Sequence, residues 1–278
     1  MTEVKAPDLN AMRGFIFDVD GTLALADRGL NGYAPLPGSL ELLELLRSRG
    51  LPYVVFTNGS LKTPVQLSQA LGNAGIEVAP ERALTPPAIA VSVFRNKGYK
   101  KILVLGAEGV WKPLADAGFE VVCAPERADD ADAVFIGWYP EFGLPDLDAA
   151  SRAIWQGAGF YTVSTVPYIA SRDGRTLGIS GALTAAISSV TDKEAIVVGK
   201  PAAEAFAIAR EILDVAPEHV AIVGDDPALE NEMAHLNGAI SVSVHTGLYK
   251  ANDFARLPDN RRPHYSLSGI DQLLELMR

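Results

Sequence analysis

The sequence predicts an α/β protein in which a doubly wound parallel sheet is interrupted by a second α/β unit. Short apolar runs of strand length alternate with segments of helical periodicity, the order typical of a parallel sheet covered by helices on both faces. The prolines in Leu84-Thr85-Pro86-Pro87 interrupt the strand and helix pattern and indicate a domain boundary. The length of 278 residues suits two domains, and the composition, 48% apolar and 21% charged, is that of a globular protein.

Residue type and spacing place the individual elements. Short β-branched, aromatic and aliphatic runs predict strands at residues 15–17, 53–56, 102–105, 120–123, 133–136, 160–163, 195–198, 220–223 and 240–244. Apolar residues at helical spacing predict helices at 40–49, 64–73, 91–97, 109–117, 148–156, 182–190, 203–213, 229–236 and 270–277. We expect Ser39 to cap the first helix and Gly50 to end it, and residues 171–181 to form a polar loop.

The charge balance limits the partners. With 34 acidic and 24 basic side chains the net charge is −10, which disfavours nucleic acid and anionic membrane surfaces as main partners. We expect a cytoplasmic protein, because the sequence has no apolar targeting segment near its start and no run of 18 apolar residues. The single cysteine, Cys123, excludes an internal disulfide, and its neighbours predict a small buried strand residue.

Polar residues follow four of the predicted strands. Taken alone, the Asp-Val-Asp-Gly segment after the first strand could be an ordinary turn. In an open parallel sheet, however, the carboxyl ends of the strands share one edge, where ligands bind. We therefore expect the four groups to converge although they are far apart in sequence. They are Asp18 with Asp20, Thr57, Lys200, and Asp225 with Asp226.

The composition of this edge suits phosphoryl transfer. Carboxylate oxygens and water are the ligands that Mg²⁺ prefers, and the metal makes room for a phosphate among carboxylates. Asp18 would attack phosphorus and form an aspartyl-phosphate, while Asp20 would protonate the leaving oxygen and then take a proton from water. Lys200 and Thr57 would hold the phosphoryl oxygens, because such transfer depends mainly on positioning and charge neutralisation.

Four segments resemble, in order, the motifs of the haloacid dehalogenase superfamily: Asp18-Val19-Asp20-Gly21-Thr22, Thr57-Asn58-Gly59, Gly199-Lys200-Pro201 and Gly224-Asp225-Asp226. The resemblance implies that Asp18 is the nucleophile, Asp20 the acid/base and Lys200 the residue that orients the nucleophile. It also implies that Thr57, with Asn58 and Gly59 of the same motif, binds the substrate.

For the metal, the resemblance implies Mg²⁺ held by Asp18, Asp225 and the backbone carbonyl of Asp20. The fourth motif departs from the family pattern in two places. Where an Asp usually stands five residues after the first one, this chain has Glu230, and Asp226 stands where relatives more often carry a neutral or basic residue. Either Asp226 or Glu230 could be the second acidic residue of the metal site, and we retain both.

The rest of the chain is similar to the 4-nitrophenylphosphatase-like and nucleotidase-like (NagD-like) subfamily, which carries a large α/β cap. The similarity implies a Rossmann-like core formed by residues 1–84 and 197–278, with a cap at 85–196. Caps of this type often mediate homodimers. In the cap loop, Thr165-Val166-Pro167-Tyr168 replaces the Thr-Asn-Pro-Asp of the family, so we expect Tyr168 to take part in selecting the substrate.

The sequence therefore predicts a Mg²⁺-dependent phosphatase of small phosphomonoesters, such as sugar phosphates or nucleotide monophosphates. One alternative is a phosphotransferase or mutase with the same chemistry. Another is a non-catalytic protein that binds a phosphorylated metabolite, which would be marked by loss of Asp18, Asp20 or Lys200, and all three are present. A dehalogenase is disfavoured, since it has no use for the acid or for the metal carboxylates.

Overall fold

A computed structural model describes residues 7–27, 29, 32–172, 174–254 and 256–278. Within these residues the chain forms two parallel sheets, each with helices on both faces, and two small antiparallel hairpins. This architecture confirms the predicted fold class. None of the helices in the described part of the chain combines the length and the apolar character needed to cross a bilayer.

The elements are numbered in chain order. The strands are β1 (Gly14–Phe17), β2 (Ala24–Ala26), β3 (Tyr33–Pro35), β4 (Tyr53–Phe56), β5 (Ala83–Leu84), β6 (Lys101–Leu105), β7 (Glu120–Cys123), β8 (Ala133–Ile136), β9 (Gly159–Thr162), β10 (Tyr168–Ser171), β11 (Gly174–Leu177), β12 (Ile196–Val197), β13 (Val220–Gly224), β14 (Ile240–Val244) and β15 (Tyr265–Leu267). The helices are α1 (Ser39–Ser48), α2 (Pro64–Gly72), α3 (Pro86–Lys97), α4 (Glu108–Asp116), α5 (Leu144–Trp155), α6 (Ile179–Thr191), α7 (Ala203–Leu213), α8 (Glu232–Asn237), α9 (Ala251–Phe254) and α10 (Ile270–Met277).

The first sheet, which we call the core sheet, has the order β15-β14-β13-β1-β4-β5 and is parallel throughout. The chain leaves β1 toward β4 and β5 on one side and returns to β13, β14 and β15 on the other. Alternation along β1 sends Phe15 and Phe17 into the apolar layer under α1, α2 and α10, and Ile16 into the layer under α7 and α8. The order of the sheet thus reverses beside β1, and ligands of open α/β sheets bind at such a point.

The second sheet, which we call the cap sheet, has the order β12-β9-β8-β6-β7 and is also parallel. It lies between β5 and β13 in the chain. Its faces are covered by α5 and α6 on one side and by α3 and α4 on the other. Helix α3 also contributes Ile89 to the core, so one helix joins the two apolar layers.

Three contacts hold the cap against the core on the side of the sheet edge. The backbone N–H of Trp138, in the loop after β8, donates to the Ser60 hydroxyl over 2.9 Å. The hairpin of β10 and β11 lies against the hairpin of β2 and β3, where the Arg172 backbone N–H donates to the Ala26 carbonyl (3.1 Å) and its Nε to the Leu25 carbonyl (3.3 Å). A cleft between the two units therefore opens over the end of β1.

One predicted strand belongs to the wrong sheet. The run at 195–198 spans the predicted boundary between cap and core, and Lys200 was expected to follow it at the edge of the core sheet, but β12 pairs with β9 of the cap sheet. Lys200 therefore does not follow a core strand, although it lies in the same site. The short strands β5 and β15 have too few residues to give a periodic signal.

Four local predictions are wrong for identifiable reasons. Ser39 is the first residue of α1 and makes no capping hydrogen bond, because Gly38 precedes the helix in the left-handed region with φ 82°. Helix α3 begins at Pro86, since prolines are tolerated in the first helical turn, where the N–H groups have no helical partner. Part of the expected polar loop at 171–181 forms β11 and the start of α6. Cys123 is exposed because β7 is an edge strand.

Candidate active site

The carboxyl ends of three adjacent core strands form the floor of the cleft. Asp18 follows β1, Thr57 follows β4 and Asp225 follows β13, and the register sets Phe17 beside both Val223 and Val55. The backbone N–H of Asp18 donates to the Val223 carbonyl over 2.9 Å, which extends the parallel ladder by one residue. These three residues meet because parallel strands bring their carboxyl ends to one edge of the sheet.

Lys200 is buried between two carboxylates. Its side chain is 1% exposed, and its Nζ lies 2.5 Å from Asp18 Oδ1 and 2.6 Å from Glu230 Oε1. Burial by itself would lower the pKa of the Lys200 ammonium, but the charges of Asp18 and Glu230 and its hydrogen bonds to them raise the pKa above its usual value. Lys200 is therefore a fixed cation that holds Asp18 in one orientation.

Asn58 fixes the backbone that carries Lys200. The Asn58 Oδ1 accepts the backbone N–H of Lys200 (2.8 Å), and its Nδ2 donates to the Lys200 carbonyl (3.0 Å). The Asn58 side-chain amide thus holds the Lys200 backbone in place. Next to it, the Thr57 hydroxyl accepts the backbone N–H of Gly59 over 2.9 Å, which folds this loop tightly over the strand end.

Asp20 is the carboxyl group most suited to exchange a proton. Burial first, and the charge of Asp18 second, raise the pKa of Asp20 to about 7. Its Oδ1 atom is buried without a hydrogen-bond partner among the described residues. A group with a pKa near neutrality can both give and accept a proton, as a general acid/base must.

The Asp225 side chain occupies space that is available because two neighbouring residues are glycines. A Cβ atom at Gly247 would lie 1.7 Å from Asp225 Oδ2, and one at Gly21, where φ is +93°, would lie 2.7 Å from it. The Thr246 hydroxyl joins the two loops by donating to the Gly21 carbonyl over 2.6 Å. Burial and the charges of Asp18, Glu230 and Asp226 raise the pKa of Asp225 well above its usual value.

The two remaining acidic residues of the fourth motif have different partners. Glu230 accepts hydrogen bonds from Lys200 and, through Oε2, from the backbone N–H of Asp226 at 3.1 Å. Asp226 Oδ1 accepts the backbone N–H of Ala228 over 2.8 Å and caps the π-helical turn Pro227–Asn231. This turn precedes α8, where the sequence predicted one helix over 229–236.

The charges of the site fit a divalent cation. Five carboxyl groups surround one buried lysine, and the raised pKa of Asp225 records their repulsion. Among the described residues, no three His, Cys, Asp or Glu side chains form a ready metal-binding group. Carboxylate, backbone carbonyl and water oxygens could complete the shell of a cation here. Mg²⁺ usually keeps several waters and binds through one or two carboxylates, so the donor set suits it.

The cap supplies the upper wall of the cleft. Of the residues predicted for the site, those that line it are Asp18, Asp20, Thr57, Asn58, Gly59, Tyr168, Asp225, Asp226 and Glu230, and Lys200 reaches it through its contact with Asp18. Tyr168 lies on β10 and carries the Arg175 guanidinium over its ring at 4.3 Å. Val166 and Trp138 add apolar surface beside it.

Three ionisable side chains are among the cleft residues that sequence reasoning missed. Lys62 and Tyr33 lie near Asp20, where burial lowers the pKa of Lys62 and raises the pKa of Tyr33. Tyr249 follows the fifth core strand, β14, and lines the cleft together with Tyr168 at the seam between core and cap; burial, with the neighbouring Asp226 and Tyr168, raises the pKa of Tyr249 to about 12. Tyr249 could have been predicted, because the carboxyl end of β14 lies at the same edge of the core sheet. No sequence pattern identifies Lys62 or Tyr33 as site residues.

Comparisons with known proteins identify related hydrolases. Two family models match the chain, one described as haloacid dehalogenase-like hydrolase over residues 15–120 and one as HAD-hydrolase-like over 197–273. An acid sugar phosphatase of Staphylococcus haemolyticus is 27% identical, covering 93% of this chain and 94% of its own length.

Two solved structures are similar over nearly the whole chain. The 4-nitrophenylphosphatase of Thermotoga maritima has a TM-score of 0.87 at 25% identity and covers 98% of this chain and 100% of its own. The glycerol phosphate phosphatase of Mycobacterium tuberculosis, in complex with magnesium, has a TM-score of 0.84 at 26% identity and covers 96% of this chain and 78% of its own.

Proposed function

The chain belongs to the haloacid dehalogenase-like hydrolases, and from that premise we propose that it is a Mg²⁺-dependent phosphatase of small phosphomonoesters. The observation that carries the proposal is the buried Lys200, which holds Asp18 at 2.5 Å beside an Asp20 with a pKa of about 7. A positioned nucleophile next to a group that can donate and accept a proton is the pair that this reaction requires.

In the first step, an Asp18 oxygen attacks phosphorus and forms an aspartyl-phosphate. The bond from phosphorus to the leaving oxygen breaks, and Asp20 gives that oxygen its proton. In the second step, Asp20 takes a proton from water, the water oxygen attacks phosphorus, and Asp18 leaves as a carboxylate. Thr57 holds a phosphoryl oxygen in both steps, while Lys200 keeps Asp18 oriented.

For the metal, we propose that Asp18, Asp225 and the backbone carbonyl of Asp20 hold Mg²⁺, which would neutralise charge on the phosphoryl group. Glu230 is then the partner of Lys200, and Asp226 supports the turn that brings Glu230 into place. This proposal separates two roles that the sequence left open. The magnesium bound to the mycobacterial glycerol phosphate phosphatase supports the choice of metal.

The test is phosphate release from a panel of phosphomonoesters with Mg²⁺ and with EDTA. Uncatalysed hydrolysis of these esters is among the slowest reactions known, so the background is negligible. We expect release by the wild type with Mg²⁺, and none by Asp18→Asn. Equal, slow release by wild type and Asp18→Asn on every substrate would refute the phosphatase. Phosphate that moves to an added alcohol, rather than to water, would instead identify a phosphotransferase.

A further inference from the structure

A second pocket lies outside the catalytic cleft, at the seam between core and cap. The two spaces share Tyr168, Leu248 and Tyr249 as a common wall. On the far side of this wall lie Arg175, from the cap strand β11, and Arg256, from the core segment after α9. We call this space the outer pocket. It is within one side-chain layer of the cleft and is built by both units.

The outer pocket is positively charged in an acidic protein. Neither Arg175 nor Arg256 makes a salt bridge within 4.0 Å to any described residue. Asp253 is the one carboxylate among the described residues lining the pocket, and its Oδ2 accepts the backbone N–H of Lys250 over 2.8 Å. Two guanidinium groups against one carboxylate leave an excess positive charge, in a chain whose net charge is −10.

Arg175 is positioned rather than loose. Its guanidinium lies 4.3 Å from the centre of the Tyr168 ring, a cation–π geometry that orients the planar group along the wall. A stacked guanidinium keeps its edge N–H groups available for a ligand. Carboxylate and phosphate oxygens match that edge with two parallel hydrogen bonds.

The wall itself is apolar and aromatic. Leu248 contributes a branched aliphatic side chain, and Tyr168 and Tyr249 contribute two aromatic rings. A leaving group that extends from Asp18 toward the arginines would have to pass the edge of this wall, in contact with these side chains. An aromatic ring or an alkyl chain can make that passage by van der Waals contact, whereas sugar hydroxyls would lose hydrogen bonds to water.

From these contacts we propose that the outer pocket binds a second anionic group, a carboxylate or a phosphate, carried by the leaving group of the substrate. The inference rests on the proposed phosphatase function and narrows its substrate class. The substrate would be a phosphomonoester whose alcohol has an apolar or planar spacer and an anionic end. Arg175 and Arg256 would hold that end, while Asp18 attacks the phosphate.

The experiment compares substrates that differ only in the distal charge. 2-Phenylethyl phosphate and its para-carboxyl and para-phosphoryloxymethyl derivatives share a primary alcohol, so the phosphate esters under attack have similar intrinsic reactivity. We expect kcat/KM of the wild type to be at least about 10-fold higher for either anionic derivative, the lower end of what a charge-assisted hydrogen bond contributes. The carboxylate and phosphate derivatives show which anion the pocket favours.

Variants of the two arginines test the assignment. Arg175→Gln and Arg256→Gln should each remove most of this preference, so that kcat/KM falls far more for the anionic derivatives than for the neutral ester. Arg127→Gln, on the exposed surface of the cap, is the matched control and should behave as the wild type. Asp253→Asn should raise kcat/KM for the anionic derivatives a few-fold, a gain that a folding defect cannot produce.

The outcomes separate the two proposals. If the wild type hydrolyses none of the esters, the phosphatase function itself fails. If it hydrolyses all of them without a preference for the anionic ones, the outer pocket is not an anion site. An equal loss on neutral and anionic esters in the arginine variants would also overturn the assignment, because it would show that the arginines attract the phosphate dianion in general or support the fold.

Discussion

Replacing Lys200 with Met tests how the charges of the site are balanced. The substitution keeps the length of the side chain and removes a cation that lies 2.5 Å from Asp18 and 2.6 Å from Glu230. Lys200 is 1% exposed, so water cannot take its place without rearrangement. Removing one partner of a buried ion pair costs about 3–5 kcal/mol, because the other charges stay buried and unpaired.

We expect Lys200→Met to lower the free energy of unfolding, measured in urea with EDTA at pH 8, by about 3–5 kcal/mol. For a chain of this size the same loss lowers Tm by roughly 10 °C, at about 2–4 °C per kcal/mol. Phosphate release should be abolished under all conditions, since Asp18 loses the group that orients it.

The cost should shrink as the pH falls. In the wild type, burial raises the pKa of Glu230 to about 7, even though Lys200 opposes the rise. Without Lys200 the pKa of Glu230 rises further. The folded state then holds more protons than the unfolded state between that pKa and the ordinary value of 4.5. Stability therefore increases as the pH is lowered through this range, and the deficit of Lys200→Met should be smaller at pH 5.5 than at pH 8.

A second substitution gives the control. Adding Glu230→Gln to Lys200→Met removes one of the unpaired charges and should restore part of the stability at pH 8. The reasoning is refuted if Lys200→Met costs less than about 1 kcal/mol at pH 8, if the deficit is equal at both pH values, or if the double variant is no more stable than the single one.

Three further predictions concern the neighbours of this ion pair. Asp20→Asn should lower kcat by about 10²-fold or more. In EDTA at pH 8 the same substitution should stabilise the fold by up to about 4 kcal/mol. The pKa of Asp20 rises from 3.8 to about 7 on folding, so the stability of the wild type falls as the pH increases across that interval. Urea midpoints of the two proteins that stay equal from pH 5 to pH 8 would contradict this. Asn58→Ala should cost about 1–3 kcal/mol in urea unfolding and lower kcat more than it raises KM, because it frees the backbone of the catalytic lysine; unchanged kcat would count against that role. Gly247→Ala should raise the Mg²⁺ concentration for half-maximal activity by about 10-fold or more, since the new Cβ displaces Asp225, whereas Gly72→Ala, with open space around it, should leave the Mg²⁺ requirement unchanged.

Most of the core could be predicted from the sequence because its strands are buried on both faces. The segments at 53–56 and 220–223 are continuous apolar runs, and each is a strand of the core sheet. The elements that were missed or displaced are short or lie at edges. Strand β12 has two residues, and its pairing with β9 depends on where the cap lies rather than on its own sequence.

The same division holds for the candidate site. Asp18, Thr57 and Asp225 could be placed together because parallel strands bring their carboxyl ends to one edge. Lys200 was predicted to lie at that edge because it was taken to follow a core strand, but the strand before it belongs to the cap sheet. It reaches Asp18 because Asn58 holds its backbone from the core side, a contact between residues 142 positions apart that no local pattern records.

The sequence by itself determined the chemistry that we propose, since the Asp proposed as nucleophile, the acid two residues on, the lysine and the carboxylate proposed for the metal are identifiable by residue type and order. Tertiary structure alone decided how those groups divide the work. Glu230 turns toward Lys200, Asp225 is confined by two glycines, and Tyr168 meets Tyr249 across the seam. The physical reason is that charge pairing, burial and shape depend on which side chains meet in space, and those contacts exist only after the cap has folded over the core.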